Sequence, residues 1–132
     1  VVSAVALGAA GRRMSKATAR LSRAHIFVSG RVQGVYYRDT TKAKGERLGL
    51  TGVAYNLADK RVEIVAEGPK AAIETLVEWC WKGPEGAHEV GFSNKLTRKR
   101  HVSGVEVRWE LEEELGAAHQ YAGFLNGGTK SS

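Results

Sequence analysis

Residues Val53–Ala66 read VAYNLADKRVEIVA. Val53–Leu57 and Arg61–Ala66 are short and rich in β-branched and other apolar residues, and Ala58-Asp59-Lys60 separates them, so the stretch predicts a hairpin of two strands. In the second strand Val62 and Ile64 fall on one face and Glu63 on the other. The turn lacks the glycine that a tight hairpin prefers.

Both directions from this hairpin lead through a helix to a strand. Upstream, Tyr37, Thr41, Gly45 and Leu48 recur about every four residues, and the charged Lys42, Lys44, Glu46 and Arg47 fall mostly elsewhere, which predicts a helix over 37–48. Gly45 inside it costs about 1 kcal/mol relative to alanine. Gly30–Val35 is a loop with two glycines four apart, and Ala24–Val28 (AHIFV), ended by Ser29-Gly30, is a strand. Downstream, Pro69 suits a first helical turn, and Ile73, Leu76, Val77 and Cys80 follow at i, i+3, i+4 and i+7. Lys82-Gly83-Pro84 stops that helix, and Val105, Val107 and Trp109 alternate with Glu106 and Arg108 as a strand with one buried face. The order β-α-β-β-α-β predicts an α+β fold, a ferredoxin-like α/β sandwich with an antiparallel sheet and two helices on one face. Enzymes, RNA binders and metal carriers share this arrangement, so it does not decide function.

At 132 residues, 42% hydrophobic and 26% charged, the chain has material for one such domain and no second enzyme domain. Its formal charge of +6 is unevenly spread. Residues 1–23 hold five basic residues and no acid, residues 88–101 (HEVGFSNKLTRKRH) carry a net +3, and the remainder is left at −2. The expected organisation is a basic, disordered leader over 1–23, a domain over 24–111 with an inserted basic loop at 88–101, and a tail over 112–132. In that tail Tyr121-Ala122-Gly123-Phe124 starts a weak edge strand that Leu125-Asn126-Gly127-Gly128 dissolves. The apolar Val1–Ala10 precedes its basic residues, the wrong order for a secretory signal. A cytoplasmic location is expected, with a mitochondrial transit peptide as the alternative reading of the leader. Met14, the sole methionine, is expected to be the natural start. One cysteine, Cys80, leaves no internal disulfide and no Cys-rich zinc site, and no apolar run approaches the roughly 20 residues that cross a bilayer.

Chemistry concentrates in Gly30–Arg38, GRVQGVYYR. A glycine-bearing loop between a strand's end and a helix's start can turn backbone N–H groups inward beside the helix's positive end, which suits a phosphate-sized anion. Arg38 could add a planar fork for two phosphate oxygens. The alternative is an ordinary tight turn followed by a solvated arginine. There is no GK[ST] phosphate cradle, no Cys or Ser nucleophile in the loop, and the four histidines show no metal-ligand spacing. Phosphate chemistry here requires direct attack by water on an already activated substrate. Asn56, a polar amide in an apolar strand, either faces solvent or orients a water through its carbonyl and amide groups.

The nine residues of Gly30–Arg38 resemble the phosphate-binding loop of the acylphosphatases, usually written GRVQGVxFR. Leu48-Gly49-Leu50-x-Gly52, Val62-Glu63 through Ala66-Glu67-Gly68, and Trp79-Cys80-x-x-Gly83-Pro84 resemble further stretches of that family in the same order. The resemblance covers about residues 24–87 and Val105–Trp109. It implies hydrolysis of the carboxyl–phosphate bond without metal or other cofactor. Arg38 falls on the phosphate-binding arginine, Asn56 on the water-positioning asparagine, and the backbone of Gly30, Arg31, Val32, Gln33, Gly34 and Val35 on the cradle. The chain departs from the family pattern at Val53-Ala54-Tyr55, where Trp-Val-Arg/Lys is usual, at Gly45 for alanine and at Lys60 for glycine.

The expected partner is therefore a small acyl phosphate, met by a monomer with no membrane and no nucleic acid involved. A catalytically degenerate relative is one rival, and a ferredoxin-like RNA-binding module another. The third strand, Arg61–Ala66, has no aromatic on which a base could stack, which disfavours the RNA reading. A carbamoyl-phosphate-handling domain of a larger maturation enzyme uses a similar loop, but this chain has none of the zinc-ligand cysteines of such an enzyme.

Overall fold

The computed structural model describes residues 21–110 and 119–130. The leader up to residue 20, with Met14, residue 111 at the end of the expected domain, and tail residues 112–118, 131 and 132 lie outside that range. Five strands and two main helices make up the fold: β1 (Ser22–Arg31), α1 (Tyr37–Arg47), β2 (Thr51–Asn56), β3 (Val62–Gly68), α2 (Lys70–Cys80), β4 (His101–Trp109) and β5 (Phe124–Thr129), with a short helix α3 (Pro84–Glu89) and a 3-10 turn (Thr97–Lys99) between α2 and β4.

The strands lie in the order β4-β1-β3-β2-β5. The first three pairings are antiparallel, with Ile26 opposite both Ile64 and Val107, and Ala54 opposite Ile64. Alternation puts Ala24, Ile26, Val28, Val62, Ile64 and Ala66 on one face, where they are fully buried with Tyr37 of α1 and Ile73, Leu76 and Cys80 of α2. The period-2 and period-3.6 patterns of the sequence thus meet in one core.

Four expectations are corrected. The sheet is mixed, because β5 runs parallel to β2. Leu125-Asn126-Gly127-Gly128 does not dissolve the edge strand: β5 continues to Thr129, anchored by Phe124, which is 2% exposed. Phe124 also accounts for Gly45. A Cβ at Gly45 would lie 2.3 Å from the Phe124 ring, so a residue that weakens the helix admits the side chain that fastens the strand. The ordered domain begins before residue 24, since Ser22 and Arg23 belong to β1 and Arg23 is buried against Glu67 and Glu110. Finally, the basic segment 88–101 is not simply an inserted loop: it begins in α3, includes a 3-10 turn and sends side chains into the core. Thr97 and Arg100 are buried, and the Arg100 guanidinium stacks 4.3 Å from the Tyr37 ring and 5.4 Å from Trp79.

Among the described residues no helix is long and apolar enough to cross a membrane.

Candidate active site

The turn between β1 and α1 is the site's floor. Its strand boundary falls later than the sequence predicts. Gly30 and Arg31 still belong to β1 and pair with Val102 and His101 of β4, which leaves Val32–Tyr36 as the loop proper. Val32 and Val35 plug into the core at 1% and 3% exposure, so the loop is pinned at two points. Between them Gly34 adopts φ 75°, and Tyr36 takes the same left-handed region at φ 63° as it enters α1. A non-glycine residue held there is strained, and such strain persists only where the surroundings enforce it. Here the next residue enforces it. Tyr37 is buried and its hydroxyl donates to the Cys80 carbonyl at 2.7 Å.

The first turn of α1 has no side-chain cap. Its leading N–H groups have no partner within the helix, and the partial positive charge of the helix end stays available to an anion. Arg38 stands in that turn. Its Nη1 donates to Asn126 Oδ1 at 3.2 Å, and Asn126 Nδ2 donates to Asp39 Oδ1 at 2.9 Å, so a β5 side chain ties the arginine and its neighbour together.

Asn56 ends β2 on the other side of the same hollow. Its carbonyl accepts from the Lys130 N–H at 2.8 Å, which fixes its backbone from the β5 side. Its Oδ1 is buried and makes no hydrogen bond to any described residue. A buried acceptor without a partner costs about 1–3 kcal/mol, a cost that a bound water or ligand would offset. A pocket of about 240 Å³ is lined by Val32, Gly34, Tyr36, Tyr37, Arg38, Asp39, Asn56 and Leu96.

The fold therefore brings together Arg38, Asn56, Val32 and Gly34 of the predicted site. It leaves Gly30 and Arg31 in the sheet and Val35 in the core. Gln33 has a task that reading the loop as a backbone cradle does not reveal. Its Nε2 donates to the carbonyls of Leu57 and Arg61 at 2.8 and 2.9 Å, so one amide locks the loop to the hairpin that carries Asn56. Leu96 and Asn126 were also not legible as site residues, because each reaches the pocket or Arg38 only through tertiary packing, and Asp39, though next to Arg38 in the chain, has no feature that singles it out. Tyr55, one of the departures from the family pattern, packs beside Gly127 of β5, with Lys130 Nζ 4.8 Å from its ring.

Among the described residues no group of three or more His, Cys, Asp or Glu is placed to hold a metal ion. Cys80 is no nucleophile, because complete burial pushes its thiol up to about 12.

Comparison with known proteins points to one family. The Acylphosphatase family model matches residues 24–101. A relative from Haloarcula marismortui named Acylphosphatase is 49% identical over 88 residues, which is 67% of this chain and 97% of the relative. One of the same name from Marinobacter nauticus is 57% identical over 67 residues, 51% of this chain and 73% of its own. Among solved structures, an acylphosphatase from Coxiella burnetii superimposes with a TM-score of 0.61 at 31% identity, over 83% of this chain and 93% of that one.

Proposed function

This chain belongs to the acylphosphatase family, enzymes that hydrolyse acyl phosphates to a carboxylate and phosphate, and from that premise we propose how its own residues divide the work. The phosphoryl group sits against Gly34 and the uncapped start of α1, and Arg38 takes two of its oxygens. Asn56 Oδ1 accepts a hydrogen from the attacking water and so aims the water's oxygen at phosphorus. As that oxygen bonds to phosphorus, the bond from phosphorus to the carboxylate oxygen breaks and the carboxylate leaves with the electron pair. The water's proton passes to an oxygen of the phosphate itself.

The observation that carries this reading is the pairing within one pocket of Arg38 with a buried, unpartnered amide oxygen. An acyl phosphate is a mixed anhydride, and its carboxylate leaves without help from a general acid. Catalysis then reduces to positioning and to stabilising charge on the equatorial oxygens, which an arginine, a helix end and an amide can supply. The reaction as written needs no metal. We take the enzyme to act as a monomer in the cytoplasm.

Asn56→Ala tests the division. It should lower kcat by roughly two orders of magnitude, about 3 kcal/mol, while inorganic phosphate still inhibits at a similar concentration. An unchanged kcat would remove Asn56 from the mechanism.

A further inference from the structure

The segment after α3 does more than connect. Asn94 Oδ1 accepts from the N–H groups of Leu96 and Thr97, both at 2.9 Å, and Thr97 Oγ1 accepts from the Asn94 N–H at 3.0 Å. Lys99 N–H closes the turn onto the Leu96 carbonyl at 3.0 Å. One buried side chain then fastens it to α1. Thr97 is 1% exposed within the turn itself, and Arg100 donates through Nη1 to Thr40 Oγ1 at 3.0 Å while stacking on Tyr37. The turn is thus held against the helix that carries Arg38. What it presents there is Leu96, which is 41% exposed and lines the pocket that holds Arg38 and Asn56.

Tyr36 is the second apolar group at that rim. It is 42% exposed, it too lines the pocket, and its ring centroid lies 5.9 Å from Phe92, another residue of the same segment. Among the described residues only Trp81 and Leu125 are comparably exposed large apolar side chains. Two of the four thus flank the pocket that holds Arg38. A phosphate anion gains nothing from leucine and tyrosine. An apolar group attached to it does, because its transfer from water against such a wall is favourable.

We propose that residues 92–96 form the acyl side of the active site, with Leu96 and Tyr36 selecting acyl phosphates whose acyl group is apolar, aromatic or extended alkyl, over small or carboxylated ones. The proposal rests on the reading above that the phosphoryl group lies at Arg38. Leu96 contributes specificity for the organic group and leaves the chemistry at phosphorus to Arg38 and Asn56.

The test compares kcat/KM for benzoyl, acetyl and succinyl phosphate in the wild-type protein and in Leu96→Ala, with inorganic phosphate as a competitive inhibitor of both. Loss of apolar contact in a binding site is worth roughly tenfold or more in discrimination. The expected result is that the wild type favours benzoyl phosphate and that Leu96→Ala cuts the benzoyl-to-acetyl ratio about tenfold, with the phosphate inhibition constant within twofold. Leu96 is a surface residue, so the variant folds, and its melting temperature verifies this. A ratio unchanged by the substitution overturns the proposal while leaving the phosphate site standing. So does a wild-type preference for succinyl phosphate, which would assign the acyl group to the exposed Lys95, Arg98 and Lys99 instead. A wild type that hydrolyses none of the three and is not bound by phosphate overturns the underlying reading as well.

Discussion

Asn56 and Lys60 sit four residues apart on one hairpin and show two uses of an unfavourable residue. Asn56 has a buried oxygen with no described partner, and it lines the pocket that also holds Arg38, where the proposed water would pair with it. Lys60 has no such return. It holds φ 80°, where a side chain is strained, and its N–H closes the turn onto the Leu57 carbonyl at 3.1 Å. Asp59 supports the same turn by accepting from the Arg61 N–H at 3.1 Å, and that bond helps hold the Asp59 carboxyl below its usual range. Lys60→Gly should therefore raise stability by about 0.5–1 kcal/mol, since relief of left-handed strain exceeds the entropy glycine adds to the unfolded chain. Urea denaturation would register it as a higher midpoint with an unchanged slope, and a lower midpoint would contradict the account. At this scale the sequence was most legible where chemistry is local. Arg38 and Asn56 stand out by residue type and setting, although a solvated arginine and a surface amide fit the residues as well and only the resemblance assigns their roles; Lys60 stands out by the absence of glycine in a turn. Gln33 and Leu96 do not, because the carbonyls that one binds and the helix that backs the other are distant in the chain.

Of the elements, β5 was the least legible and is among the most consequential. Its residues, FLNGGT, have poor strand propensity, and two glycines argue against pairing. Tertiary contact overrides this. Phe124 fills the space left by Gly45 on α1, Gly127 lies where a Cβ would strike Tyr55, and the strand then delivers Asn126 to Arg38. The glycines that weaken β5 alone let it approach its neighbours. Phe124→Ala should cost about 3–5 kcal/mol, the usual range for emptying a buried aromatic site. Asn126→Ala, on an exposed side chain, should change stability by no more than about 0.5 kcal/mol yet lower kcat/KM, because Arg38 loses the contact that orients it. Equal losses of stability in both variants would show that β5 is scaffold only. The hairpin and the two main helices, by contrast, were legible from local signals: β-branched runs around a turn for the hairpin, the four-residue recurrence of small and apolar groups with charges between them for α1, and apolar periodicity for α2.

For the molecule as a whole, the sheet face opposite the helices is held together by charge. Arg23 Nε donates to Glu67 Oε2 at 2.8 Å and its Nη1 to Glu110 Oε1 at 2.9 Å, while His25 lies between Glu110 and Glu63. Reading Arg23 as part of a mobile basic leader missed this, because its partners lie 44 and 87 residues away. Burial alone would raise the Glu67 carboxyl. Hydrogen bonds from the Gln120 N–H, the Thr51 hydroxyl, Arg23 and the Tyr121 N–H outweigh it and hold the group below its usual range. In Glu110 burial is likewise overcome, by His25 and Arg23. A carboxylate depressed on folding stabilises the fold above its unfolded pKa of about 4.3 and loses that contribution as pH falls through the folded value. Stability should thus decline as pH drops below about 4.5. Glu67→Gln should be less stable at neutral pH and show a shallower acid decline, which melting temperatures across pH 3–7 would reveal; parallel curves would refute it. The central claim, that Arg38 and Asn56 share one acyl phosphate site, has a more direct test. It is hydrolysis of benzoyl phosphate in EDTA by the wild type, Arg38→Ala and Asn56→Ala. The account predicts turnover that the chelator leaves intact, that falls to background without Arg38, and that loses about two orders of magnitude in kcat without Asn56. A folded Arg38→Ala protein that still turned over the substrate would contradict it.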